Sequence, residues 1–103
     1  MERGGLVMPD IVTIRNAITP LAKQYGLKRI YLFGSYAKGT AKETSDIDLL
    51  IEKGRSLSLL MLSGFRQDVE EKLNMPVDVV TTSGIAEEFQ NEIKGTEVLL
   101  YEE

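Results

Sequence analysis

Cysteine and histidine are both absent from this chain of 103 residues. Without cysteine there is no disulfide and no thiolate metal site. Without histidine there is no Ser-His-Asp triad, no imidazole general base and no zinc site of the usual histidine type. Any metal ion must be held by oxygen, which favours Mg2+ or Mn2+. Long apolar runs are missing too, and none approaches the ~20 residues of a membrane span. The N-terminus lacks the basic-then-apolar order of a secretory signal. No membrane association is expected, and the expected location is the cytoplasm. Positive charge is in deficit, because 12 Lys and Arg against 16 Asp and Glu leave a net charge of −4. Broad nucleic-acid binding draws its affinity from neutralised phosphates and is not expected of such a chain. A nucleotide remains compatible, since bound cations carry the positive charge.

What is present is ordinary in bulk and specific in detail. Hydrophobic residues make up 43% and charged residues 27%, as in a globular domain, and the length predicts one of them. Residues 1–9 show no period and contain Gly4 and Gly5, which predicts a flexible arm, with Met8 as an alternative start. Residues 10–103 are expected to form a single domain. Asp10 is placed to cap a helix over 10–25, with Ile11, Ile14, Ile18, Leu21 and Tyr25 on one stripe. Pro20 predicts a kink, or a restart capped by Thr19, and Gly26 ends the helix.

Strands are expected over 29–33, 46–52, 76–81 and 96–101. A short helical turn is expected at 35–38, a helix at 57–73 capped by Ser56 or Ser58, and a helix at 84–94. Leu59, Leu62, Phe65 and Val69 read as core, while Leu57, Leu60 and Met61 are left over for packing or a partner surface. Gly64, mid-helix at a cost of about 1 kcal/mol against Ala, suggests close packing on a sheet. The pattern is α/β (α+β): a mixed sheet of about four strands flanked by helices. Strands one and two, lacking a crossover helix, should be antiparallel; strands two and three, joined through a helix, should be parallel.

Chemistry concentrates between Leu32 and Ile51. An apolar strand runs into Gly34-Ser35, a polar loop follows, and the next strand opens on Asp46 and Asp48. Acids at i and i+2 of a strand share a face, roughly 6.5–7 Å apart along the chain. That suits a pair of divalent cations, which in two-metal sites lie about 3.5–4 Å apart. Gly34 lets a backbone approach phosphates closely, and the Ser35 hydroxyl and nearby amides supply donors. Asp78, near the start of the third strand, should arrive at the same edge, since parallel neighbours are about 4.8 Å apart. Each feature alone has a plainer reading: an ordinary turn, a solvated strand start, an edge acid. Lys38 and Lys42 read as surface lysines with a phosphate contact as the alternative, Ser45 as a turn former, and Tyr36 and Tyr101 as packing residues. The joint spacing argues against coincidence.

Gly34-Ser35, ten residues, Asp46-Ile47-Asp48 and a later strand Asp78 resemble the nucleotidyltransferases of the DNA polymerase β superfamily. The short chain, with Phe33-Gly34-Ser35-Tyr36-Ala37-x-Gly39 and Ser45-Asp46-x-Asp48-Leu49, is similar to the minimal nucleotidyltransferases, and the likeness covers 10–101. The resemblance implies metal-dependent transfer of a nucleoside monophosphate, AMP from ATP or another NTP. It implies Asp46, Asp48 and Asp78 as catalytic acids holding two Mg2+ ions, with Mn2+ as a substitute, and Gly34 and Ser35 on the phosphates. Asp78 would also accept the acceptor's proton. It further implies a helical HEPN-type toxin as partner, with this chain as the antitoxin that modifies a hydroxyl on it. Two other readings stand beside that one. In one, this chain is a catalytic subunit acting on a small molecule held by a separate helical subunit. In the other, it is a non-enzymatic binding antitoxin. The absence of a long C-terminal substrate domain leads us to expect neither a self-sufficient polymerase nor an aminoglycoside-modifying enzyme.

Overall fold

A computed structural model describes residues 9–42, 44–53, 57–81 and 95–103. Helix α1 (Ile11–Tyr25) begins where Asp10 Oδ1 accepts the Thr13 N–H at 2.8 Å, satisfying one of the free donors of its first turn. It ends at Gly26, which takes a left-handed conformation (φ 69°) and donates its N–H to the carbonyls of Ala22 and Lys23. The expected restart at Pro20 does not occur, and the helix runs through it. Pro20 has no N–H for the Asn16 carbonyl, while the neighbouring Thr19 hydroxyl donates to the Arg15 carbonyl at 2.7 Å. Buried Ile18, Leu21 and Ala22 on both sides of Pro20 hold the two turns on one core.

Strand β1 (Leu27–Phe33) passes directly into a five-residue helix, α2 (Gly34–Lys38). Strand β2 (Ile47–Lys53) follows, then α3 (Leu59–Leu73), β3 (Val77–Thr81) and β4 (Val98–Glu102). Ser58 is the cap of α3, accepting the Met61 N–H at 3.1 Å; Asn74, at φ 55°, ends it. The helix expected at 84–94 lies outside the described residues. The strands form one sheet in the order β3-β2-β1-β4. As expected, β1 and β2 are antiparallel and β2 and β3 parallel; β4 pairs antiparallel with β1.

Alternation in β2 sends Ile47, Leu49 and Ile51 to one face, where all are fully buried. They meet Ile14 and Ile18 of α1, Phe65 and Val69 of α3, and Ile30 and Leu32 of β1. Tyr25 and Phe65 make an edge-on ring contact at 5.6 Å where the helices cross. Phe33 and Leu50 face the other way and form a second cluster with Tyr31 and Val80. Two expectations for α3 need correction. Leu59 is 85% exposed rather than core, although it opens the helix, and Leu60 is 82% exposed. Gly64 packs on α1 rather than the sheet, and a Cβ there would stand 3.1 Å from the Tyr25 hydroxyl, which donates to Asp68 at 2.7 Å. Tyr36 and Tyr101 pack against the core as expected. Among the described residues no helix is long and apolar enough to cross a membrane.

Candidate active site

The site assembles at the edge where β1 ends and β2 and β3 begin. Antiparallel register sets Phe33, the last residue of β1, opposite Asp48. Parallel register sets Asp48 beside Asp78. Asp48 is therefore the centre of the arrangement, with the Gly34-Ser35 turn on one flank and the third acid on the other. Neighbouring strands lie about 4.8 Å apart, so two residues thirty positions apart in sequence become side-by-side acids on one face. Asp46 sits just ahead of β2 rather than inside it, since the ladder starts where the Ile47 N–H donates to the Pro76 carbonyl at 3.1 Å. The turn carrying Asp46 is braced by Ser45, whose Oγ accepts the Lys42 N–H at 2.8 Å and whose N–H donates to the Lys42 carbonyl at 2.9 Å.

Asp48 is half-buried, whereas Asp46 and Asp78 are exposed. Burial pushes the Asp48 carboxyl above the usual carboxylate range, and the negative charges of Asp78 and then Asp46 push it further. Among the described residues, however, no three acids are drawn into a ready-made metal cage. Like charges hold exposed carboxylates apart, and these share an edge without closing on a point.

Gly34 closes the other flank. Its φ is +74°, a left-handed conformation that favours glycine, and a Cβ there would run into Asp48 Oδ2. The backbone of the Gly34-Ser35 turn therefore lies directly against the central carboxylate. Gly39 (φ 77°) ends α2, and the Thr40 N–H bonds the Ser35 carbonyl at 2.9 Å, pinning the turn from behind. Lys38 and Lys42 are exposed. One acid that sequence reasoning passed over also reaches this edge: Glu97, immediately before β4, one step beyond the Leu32–Val98 pair. Register alone reveals it, since nothing in the local sequence around Glu97 marks it.

The residues present fit a hard divalent cation. The donor set is oxygen only, it is negatively charged, and its central member resists carrying charge without a counter-ion. Carboxylates beside a glycine-permitted backbone approach suit phosphate chemistry. The model for the family "Polymerase beta, Nucleotidyltransferase" matches residues 16–103.

The chain belongs to the polymerase β nucleotidyltransferase family.

It is a nucleotidyltransferase, and its relatives agree. A Methanocaldococcus jannaschii protein named "Putative protein adenylyltransferase" is 45% identical over 76 residues, 74% of this chain and 82% of that one. Protein adenylyltransferase MntA of Thermococcus cleftensis is 37% identical over 65 residues, 63% of this chain and 66% of that one. A chain of a solved toxin–antitoxin complex with AMP-PNP superposes with a TM-score of 0.75 at 26% identity, over 86% of this chain and 73% of that one. The four-stranded mixed sheet with its helices is the fold of minimal nucleotidyltransferases.

Proposed function

We propose that this nucleotidyltransferase transfers AMP from ATP to a hydroxyl of a partner protein, and that the partner is a helical HEPN-type toxin for which it is the antitoxin. The observation that carries the reading is the placement of Asp48, paired on one side with Asp78 and abutted on the other by the backbone of Gly34. Two comparisons support the choice of acceptor. The relatives just described bear the name protein adenylyltransferase, and the superposed chain comes from a toxin–antitoxin complex holding an ATP analogue.

The geometry supports the following roles. Gly34 and the amides of its turn receive the β- and γ-phosphates, and the Ser35 hydroxyl donates to a phosphate oxygen. Asp46, Asp48 and Asp78 are the residues that would hold Mg2+ or Mn2+, in a pair. Bound there, the cations supply charge neutralisation at the triphosphate and lower the pKa of the acceptor hydroxyl. Asp78 takes that hydroxyl's proton in this reading, which its exposure on the edge strand supports. The acceptor oxygen bonds to the α-phosphorus, the bond to the bridging oxygen breaks, and pyrophosphate leaves with the electron pair. Positioning and electrostatics supply most of the rate.

The test is coexpression with the protein that copurifies from the native cell, followed by mass analysis of that protein. The wild-type chain should add one or more AMP groups to it, and Asp48→Asn should add none while remaining folded. Full modification by the Asn variant, or neutralisation of the partner by that variant without modification, would overturn the reading.

A further inference from the structure

Glu70 stands where helix chemistry does not favour it. It lies in the last turn of α3, near the negative end of the helix dipole, where a carboxylate is unfavourable. Its helical partner, Arg66, precedes it by four residues, the weaker order for such a pair, and the contact is long at 3.4 Å. The stronger bond lies outside the helix: Glu70 Oε2 accepts the Val77 N–H at 2.9 Å.

That bond completes the anchoring of one peptide unit. The Pro76 carbonyl and the Val77 N–H belong to the same trans peptide and point opposite ways. The carbonyl accepts the Ile47 N–H at 3.1 Å, which ties the unit to β2. The N–H points away from β2, and β3 is an edge strand, so no strand receives it. Glu70 receives it instead and ties the unit to α3. Pro76 has no N–H, so Val77 carries the first donor of this segment. The next residue is Asp78, the register partner of Asp48. Both bonds therefore act directly ahead of an acid of the site.

We propose that Glu70 is a positioning residue of the active site: by fixing the first peptide of β3 from the side away from β2, it sets the direction in which Asp78 presents its carboxylate beside Asp48. The inference rests on the reading of Asp78 as a cation-holding acid given above. Asp78 is exposed, so its backbone carries much of the task of aiming it. Gly34, Ser35, Asp46 and Asp48 belong to the β1–α2–β2 segment, and Glu70 bonds to the strand after it.

Mn2+ binding to the full chain in the presence of AMP-PNP tests this without an acceptor, read as loss of the free-ion electron paramagnetic resonance signal. Two variants separate the hydrogen bond from the charge. Glu70→Gln keeps an oxygen for the Val77 N–H and loses the charge. Glu70→Asp keeps the charge and, being shorter by a methylene, loses the reach. Both changes are conservative at a partly exposed side chain, so the fold survives them. Glu70→Asp should weaken Mn2+ binding roughly 10-fold, as loss of the outer support of a metal site does, and Asp78→Asn should weaken it at least as much. Glu70→Gln should bind close to wild type. Unchanged Mn2+ affinity in Glu70→Asp, even with a lowered melting temperature, marks Glu70 as a strand cap only and overturns the proposal. Equal weakening by both Glu70 variants overturns it too, because the bond is then not the cause. If Asp78→Asn leaves Mn2+ binding intact, the site reading fails and takes this inference with it. Normal Mn2+ binding with no AMP on the partner sinks only the proposed acceptor.

Discussion

Asp48 shows most clearly what a half-buried acid among other acids costs the fold. Its carboxyl is held above the usual range by burial and by two like charges, so its ionised form is less favourable in the folded chain than in the unfolded one. Stability from this group is fully present below the unfolded carboxyl pKa and is lost as pH rises through the raised folded value. At neutral pH without divalent cations, Asp48→Asn should therefore raise the melting temperature. That advantage should shrink as pH falls into and below the raised carboxyl range, where wild-type Asp48 becomes neutral. Thermal melts of both proteins at pH 7 and in acid check it; a gain that is independent of pH would show that the charge is not the cause. Gly34 is legible in the sequence as a turn, but the reason no other residue serves there is not. The collision partner, Asp48 Oδ2, lies fourteen residues away and is brought in by β pairing.

Among the elements, α1 departs most from what its sequence predicts. Local chemistry says that a proline ten residues into a helix breaks it, and here the helix continues. The competing term is burial: Ile14, Ile18, Leu21 and Ala22 all reach the same core, and splitting the helix would take one group off it. The intrahelical hydrogen bond that Pro20 cannot donate to the Asn16 carbonyl remains as the cost. Pro20→Ala should restore that hydrogen bond. The interior-proline penalty of about 3 kcal/mol is offset in part by roughly 0.4–1 kcal/mol of unfolded-chain stiffening. The net expectation is a stabilisation of about 2 kcal/mol, read as an increase of about 10 °C in melting temperature. A lower melting temperature would mean that the proline ring itself packs usefully. In α3 the helical spacing correctly marks Phe65 and Val69 as core, but periodicity alone continues the stripe to Leu59. The first turn of the helix leaves Leu59 exposed, and a one-dimensional pattern carries no information about that.

For the molecule as a whole, net negative charge and an acidic edge set its response to cations. Arg29 binds Glu52 at 2.9 Å and Glu102 at 2.8 Å, fastening β1 to both neighbours at the end of the sheet away from the site. Those pairs remain accessible to water, and screening keeps their contribution to stability small. At the end that carries Asp46, Asp48 and Asp78, no ion pair to any of the three is found among the described residues. Addition of Mg2+ should therefore raise the melting temperature of the wild-type chain in a concentration-dependent way, following RT ln(1 + [L]/Kd). NaCl at matched ionic strength should not reproduce the gain, and Asp48→Asn should respond weakly. Equal shifts with Mg2+ and with NaCl would mean general screening rather than a site.

The sequence by itself determined the strands and helices that carry the site, the antiparallel and parallel senses of the first three strands, the family, and Gly34, Ser35, Asp46, Asp48 and Asp78 as the residues of interest. These follow from alternation, turn chemistry and spacing, all of which act over a few residues. The tertiary structure alone decided that Asp48 is the central acid, that Asp46 lies outside the strand, that Gly34 is held against a carboxylate, and that Glu97 reaches the same edge. Register and packing bring together groups that are distant along the chain, and no local pattern encodes which of them will meet.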